Sequence, residues 1–114
     1  MAIWAIVEDL VFRSKIETVA GALGLPVHIT AGVALPPAVS IGEWHVILVD
    51  LNRSSGDPLA IVKAARQQAP SARIIGYGSH VDTDLLRAAT QAGCTVVLPR
   101  SVFVQRLPDL LLGK

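Results

Sequence analysis

The sequence predicts an α/β protein: a small doubly wound sheet of five parallel strands in the order 2-1-3-4-5, with a degenerate second helix. Three observations lead there. The chain has 114 residues, enough for one domain at ~100–200 residues and too few for a (β/α)₈ barrel at roughly 250. Its hydrophobic fraction is 52% with only 17% charged, yet no run approaches the ~20 apolar residues of a membrane span. Its apolar runs are continuous and do not alternate with polar residues, the pattern of strands covered on both faces.

The elements follow in order. Ala2–Val7 (AIWAIV) is the first strand. It meets acids at Glu8 and Asp9 and has no basic segment before it, so it is not read as a signal peptide. Phe12, Ile16, Val19, Ala20 and Leu23 recur at helical spacing, and Gly24 stops that helix. Val27–Thr30 is a weak second strand. The segment Ala31–Gly42 is irregular, because Pro36-Pro37 forbids an ordinary helix through it; a single turn or an extended crossover fits there. Val46–Val49 is the third strand. Leu59, Val62, Ala65 and Ala69 form a helix with Asp57 as its cap and Pro58 in its first turn. Arg73–Ile75 is the fourth strand. Leu85, Leu86, Ala89 and Ala92 make a further helix, capped by Asp82 or Thr83 and stopped by Gly93. Thr95–Leu98 is the fifth strand. The tail Val102–Leu112 is helical by composition but carries Pro108, which predicts a short turn after Ser101 and a restart near the proline.

Strands alternating with helices give a parallel sheet, with right-handed crossovers. The order 2-1-3-4-5 is common at this size. No repeat, linker or low-complexity run interrupts residues 1–114, which read as one domain without an output domain.

Composition removes several functions. Ten Lys and Arg against nine Asp and Glu leave a net charge of +1. That gives no basic face for nucleic acid and no polybasic anchor for a membrane. The single cysteine, Cys94, forms no internal disulfide, which predicts a reducing, cytoplasmic compartment and a small buried apolar side chain. Gly76-x-Gly78 is followed by Val81 where a dinucleotide fingerprint needs glycine. There is no phosphate-binding G-x-x-x-x-G-K-[ST] loop, no zinc spacing and no G-x-S-x-G elbow. Aromatics at 4% are too few for a base-stacking sheet. His28 and His45 read as structural, His80 as a solvated loop residue, and Trp4 and Trp44 as packing.

Ligands of open α/β sheets bind beyond the carboxyl ends of the strands, where the strand order reverses. Here that point lies between strands 1 and 3. Strand 1 ends in Val7-Glu8-Asp9 and strand 3 in Val49-Asp50, so three carboxylates converge. Close like charges raise one another's pKa unless compensated, and a hard divalent cation such as Mg²⁺ is a suitable compensation. Strand 4 runs into Gly76-Tyr77-Gly78-Ser79-His80 and strand 5 into Pro99-Arg100-Ser101, which brings the Arg100 cation to the same edge. Plainer roles exist for each: Asp9 as a helix cap, Glu8 as a solvated strand end, Asp50 as a turn residue, Arg100 as a surface charge.

Over about residues 2–112 the chain resembles the response-regulator receiver domain, the CheY-like family with a flavodoxin-like fold. The features are IVED (Ile6–Asp9), the first helix, VILVD (Val46–Asp50) and QAGCTVVLPRS (Gln91–Ser101). The resemblance implies a non-enzymatic phosphoprotein of two-component phosphorelay signal transduction. It implies Asp50 as phospho-acceptor, with Mg²⁺ bound by Glu8, Asp9, Asp50 and the backbone carbonyl of Asn52. It implies a histidine kinase or another signalling protein as partner. The family's switch hydroxyl aligns with Gly78, with Ser79 one place later; its lysine aligns with Arg100 and the following proline with Ser101. Its Met-Pro-x-x-Gly passage is replaced by LNRSSGDP. Two readings follow: a stand-alone atypical response regulator that is phosphorylated, or a pseudo-receiver binding module that is not. A flavodoxin-like small-ligand protein is a third, but Glu8-Asp9 would repel the phosphate such a protein cradles. The fourth helix (Leu85–Ala92, counting the degenerate one), the fifth strand and the C-terminal segment are expected to form a contact face. Four residues of the tail, Leu107, Leu110, Leu111 and Leu112, crowd a helix too short to bury them all, which predicts an exposed apolar cluster and a homodimer or partner complex.

Overall fold

The computed structural model describes residues 2–34, 44–53 and 56–114. The elements are β1 (Ala2–Ile6), α1 (Leu10–Ala22), β2 (Val27–Thr30), β3 (Trp44–Asp50), α2 (Pro58–Gln68), β4 (Arg73–Gly78), α3 (Thr83–Ala92), β5 (Val96–Pro99) and α4 (Arg100–Leu111). The five strands are parallel, in the order β2-β1-β3-β4-β5, as the continuous apolar runs require. Residues 31–34 hold no helix; the reading of Pro36-Pro37 falls on residues outside those described.

Strand side chains alternate between the two faces, and both faces are covered. Ile3, Ala5 and Val7 pack with Ile16 and Ala20 of α1 and with Phe103 and Leu107 of α4. Trp4, Ile6, Ile47 and Val49 pack on the other face with Val62 and Ala65 of α2 and Ala89 of α3. Two buried faces account for the high apolar fraction. Trp4 and Trp44 stack at 5.5 Å between ring centroids, and Trp4 Nε1 donates to Thr30 Oγ1 at 2.9 Å, which ties β1 to β2. Cys94 is buried, and loss of solvent pushes its thiol up to about 11.

Local signals act as expected at most helix ends. Asp57 Oδ1 accepts from the Leu59 N–H at 2.9 Å with Pro58 in the first turn. Gly24 and Gly93 follow α1 and α3 with φ of 70° and 137°, values that disfavour a side chain. Asp82 occupies the N-cap of α3 but makes no capping hydrogen bond; its carboxylate is engaged elsewhere.

The tail differs from the expectation. It is one helix, α4, continuous through Pro108, with no break and restart. A proline inside a helix costs ~3 kcal/mol or more. Phe103, Leu107, Leu110 and Leu111 are fully buried, and each such side chain contributes ~1.5–3 kcal/mol, enough to hold the turn closed. Because the helix already runs from Arg100, Leu107, Leu110 and Leu111 share one face at spacings of three and four. Only Leu112, just past the helix, stays out, at 38% exposure. The leucines are therefore core, and the expected apolar contact cluster is reduced to Leu112.

The register sets the site. Ile6 pairs with Thr30 and with Val49, Asp50 with Tyr77, and Gly78 with Pro99. The carboxyl ends of the strands thus finish along one edge.

Candidate functional site

Each charged residue of the edge is positioned by the end of an element. Past β1, the Val7 N–H continues the ladder to Thr30 O at 2.9 Å, which fixes where Glu8 and Asp9 emerge. Asp9 is the N-cap of α1: its Oδ1 accepts from the N–H groups of Val11 at 2.8 Å and Phe12 at 3.1 Å. Asp50 ends β3 and is buried, 6% exposed. Its Oδ1 accepts from the Asn52 N–H at 3.0 Å. Arg100 opens α4, with its guanidinium 5.8 Å above the Phe12 ring.

These side chains line one cavity of about 390 Å³: Glu8, Asp9, Phe12, Asp50, Asn52, Arg53 and Arg100. Burial raises the Asp50 carboxyl above its ordinary value of 3.8; the Asn52 N–H and the Arg100 guanidinium pull it back, Asp9 pushes it up, and Arg53 pulls it down. Beside the cavity, Tyr77 packs in a cluster of three rings, 5.1 Å from Phe12 and 4.0 Å from Phe103, which are 6.4 Å from each other. Burial, then the charges of Asp50 and Asp9, lifts the Tyr77 hydroxyl well above its ordinary value.

The structure brings Glu8, Asp9, Asp50, Asn52 and Arg100 together, as the sequence reading placed them. Gly78 and Ser79 do not line this cavity among the described residues. The Ser79 hydroxyl is 3.5 Å from the Val81 N–H, and the residue borders a neighbouring cavity with His80, Pro99 and Arg100. His80 is exposed.

Two side chains that line this cavity escaped the sequence reading. The first is the Asn52 amide, expected to offer only its backbone carbonyl. Its Oδ1 accepts from the Ser79 N–H and lies 3.4 Å from Arg100 Nη2, while Nδ2 donates to Asp82 Oδ2 at 3.3 Å. A Cβ on Gly78 would lie 2.9 Å from that Oδ1, so the amide fills the space a side chain at position 78 would take. The second is Arg53. Its Nη2 is 3.2 Å from Glu8 Oε1 and also donates to Ala31 O, and the side chain is 3% exposed. The available signal was a basic residue three places after Asp50, in the passage where the chain departs from the receiver pattern.

The donor types fit a hard divalent cation, since three carboxylates line one cavity. Two of them are otherwise engaged: Glu8 with Arg53, and Asp9 with the start of α1. Among the described residues no three metal-ligating side chains are grouped closely enough to hold an ion as they stand.

A five-stranded 2-1-3-4-5 sheet with an acidic crevice at the ends of β1 and β3 is the receiver-domain fold. Solved structures bear this out. A CheY-like receiver domain protein from Methanospirillum hungatei matches with a TM-score of 0.80 at 15% identity, over 98% of this chain and 90% of that one. A signal receiver domain from Bermanella marisrubri matches at 0.77 and 23% identity, over 98% and 95%. A response regulator from Burkholderia pseudomallei, solved with a phosphorylated aspartic acid, calcium ion and citrate, matches at 0.78 and 18% identity, over 93% of this chain and 63% of that one. At these identities the likeness is one of fold. No family model and no curated protein matches the chain. Among the described residues, no helix is long and apolar enough to cross a membrane.

Proposed function

We propose that the chain is a receiver-type signalling module of a two-component phosphorelay, in which Asp50 accepts a phosphoryl group. The observation that carries this reading is a nearly buried carboxylate at the switch point of the sheet, in a cavity also lined by two guanidinium groups. The ionised Asp50 oxygen attacks phosphorus, a C–O–P linkage forms, and the donor's leaving group departs with the electron pair of the broken bond. Arg100 and Arg53 meet the charge of the incoming group. Phe12 walls one side. Mg²⁺, held by Glu8, Asp9, Asp50 and the Asn52 carbonyl, would supply further charge neutralisation at the phosphoryl oxygens. The module is not an enzyme, works in the cytoplasm, and passes its state on through protein contacts with a histidine kinase or another signalling protein.

The test is intact mass after incubation with acetyl phosphate and MgCl₂. The native chain should gain one phosphoryl group and Asp50→Asn should gain none. Modification that survives Asp50→Asn places the chemistry at another residue.

One observation favours a second reading, a pseudo-receiver that binds without being phosphorylated. The Asn52 amide fills the space beside Gly78 and engages Arg100, so the switch position holds no hydroxyl. Absence of any modification of the native chain, with acetyl phosphate or a kinase donor, selects this reading.

A further inference from the structure

We propose that Arg53 competes with a divalent cation for Glu8, and so sets how strongly this crevice takes up metal. The inference rests on the acidic crevice of the proposed function but not on phosphorylation. Arg53 Nη2 lies 3.2 Å from Glu8 Oε1, and the Arg53 side chain is almost wholly buried, at 3% exposure against 25% for Glu8. The same nitrogen donates to Ala31 O. The guanidinium is thus held between the acid that follows β1 and a carbonyl that follows β2, and it does not swing free in solvent.

Charge counting gives the direction. Glu8, Asp9 and Asp50 contribute three formal negative charges to the cavity lining, and Arg53 and Arg100 two positive ones. A divalent cation entering beside both arginines would leave the lining with a positive excess. Without Arg53 the same cation would meet an exact match of charge. Arg53 opposes the metal in a second way, because Glu8 must leave its ion pair to become a ligand. A guanidinium is a planar fork suited to carboxylate pairing. Arg53 therefore acts as a built-in counter-ion: it stabilises the acidic edge while no metal is bound and must yield when one enters.

The experiment is calorimetric titration of MgCl₂ into the native chain, Arg53→Gln and Arg53→Lys. Arg53→Gln should bind Mg²⁺ about tenfold more tightly than the native chain, equivalent to ~1.4 kcal/mol. Arg53→Lys keeps the charge and should stay closer to native. A folded Arg53→Gln, checked by far-ultraviolet circular dichroism, that binds Mg²⁺ no more tightly than native overturns the proposal. If Arg53→Gln does not fold, Arg53→Met provides the same comparison with an apolar side chain of similar length. The native chain gives an independent reading: the Arg53 Nε–H resonance should shift as Mg²⁺ is added. A resonance that stays fixed while Mg²⁺ saturates the site overturns it equally. The acetyl phosphate mass assay reports separately on Asp50, so failure of one idea does not decide the other.

Discussion

Gly78→Ala tests whether the Asn52 amide holds the edge of the site. The new Cβ would stand 2.9 Å from Asn52 Oδ1 and 3.3 Å from Leu86 Cδ2. The first distance is too short to persist, so the amide must move. It is not a loose end: Oδ1 accepts from the Ser79 N–H, and Nδ2 donates to Asp82. Losing a hydrogen bond of this kind costs ~0.5–1.5 kcal/mol, and more where a donor is left dry. Against this, replacing glycine by alanine restricts the unfolded chain and contributes ~0.4–1 kcal/mol of stability. With two such bonds at stake the gross cost is ~1–3 kcal/mol, so after the alanine gain of ~0.4–1 kcal/mol the expected net in the native background is a loss of about 1 kcal/mol. In an Asn52→Ala background the obstructing amide is gone, and Gly78→Ala should become neutral or slightly stabilising once Leu86 gives by a few tenths of an ångström. Urea unfolding of the four proteins measures the cycle. The predicted coupling is about 1 kcal/mol, as expected for residues in contact. Simple additivity, or a Gly78→Ala protein as stable as native, refutes the claim that the amide occupies this space.

Two further outcomes follow from burial. Leu107→Ala should cost ~2–5 kcal/mol, because it opens a cavity beneath α4; sedimentation should show no change of mass, since Leu107 is fully buried in the core. Asp50 sets a pH dependence. Its folded-state pKa is raised, chiefly by burial, so the folded state binds the extra proton and stability falls as pH rises from the unfolded value through the folded one. Asp50→Asn should therefore be more stable than native at neutral pH. That advantage should vanish below the unfolded carboxylate value in denaturant titrations run across the acid range; an advantage independent of pH would show that ionisation of Asp50 is not its source.

Much of this protein is determined by the sequence alone. Runs such as AIWAIV and VILV lack a polar alternation, so their strands must be covered on both faces, and helices between strands supply that cover only in a parallel, doubly wound sheet. Once that order is set, Glu8, Asp9, Asp50 and Arg100 reach the same edge because strand ends are fixed by register. Asp57-Pro58 and Gly93 mark helix ends because those residues act on their immediate backbone. What only the tertiary structure decided lies in contacts between segments distant in sequence. Pro108 signals a break, yet α4 stays whole, because burial of Phe103, Leu107, Leu110 and Leu111 against the sheet outweighs one lost helical hydrogen bond. Arg53 reads as a loop charge until Glu8 and Ala31 are seen beside it. Asn52 reads as a backbone ligand until its amide meets Ser79, Asp82 and the bare face of Gly78. Periodicity reports which face a backbone buries; where a long polar side chain comes to rest depends on partners that only folding brings within reach.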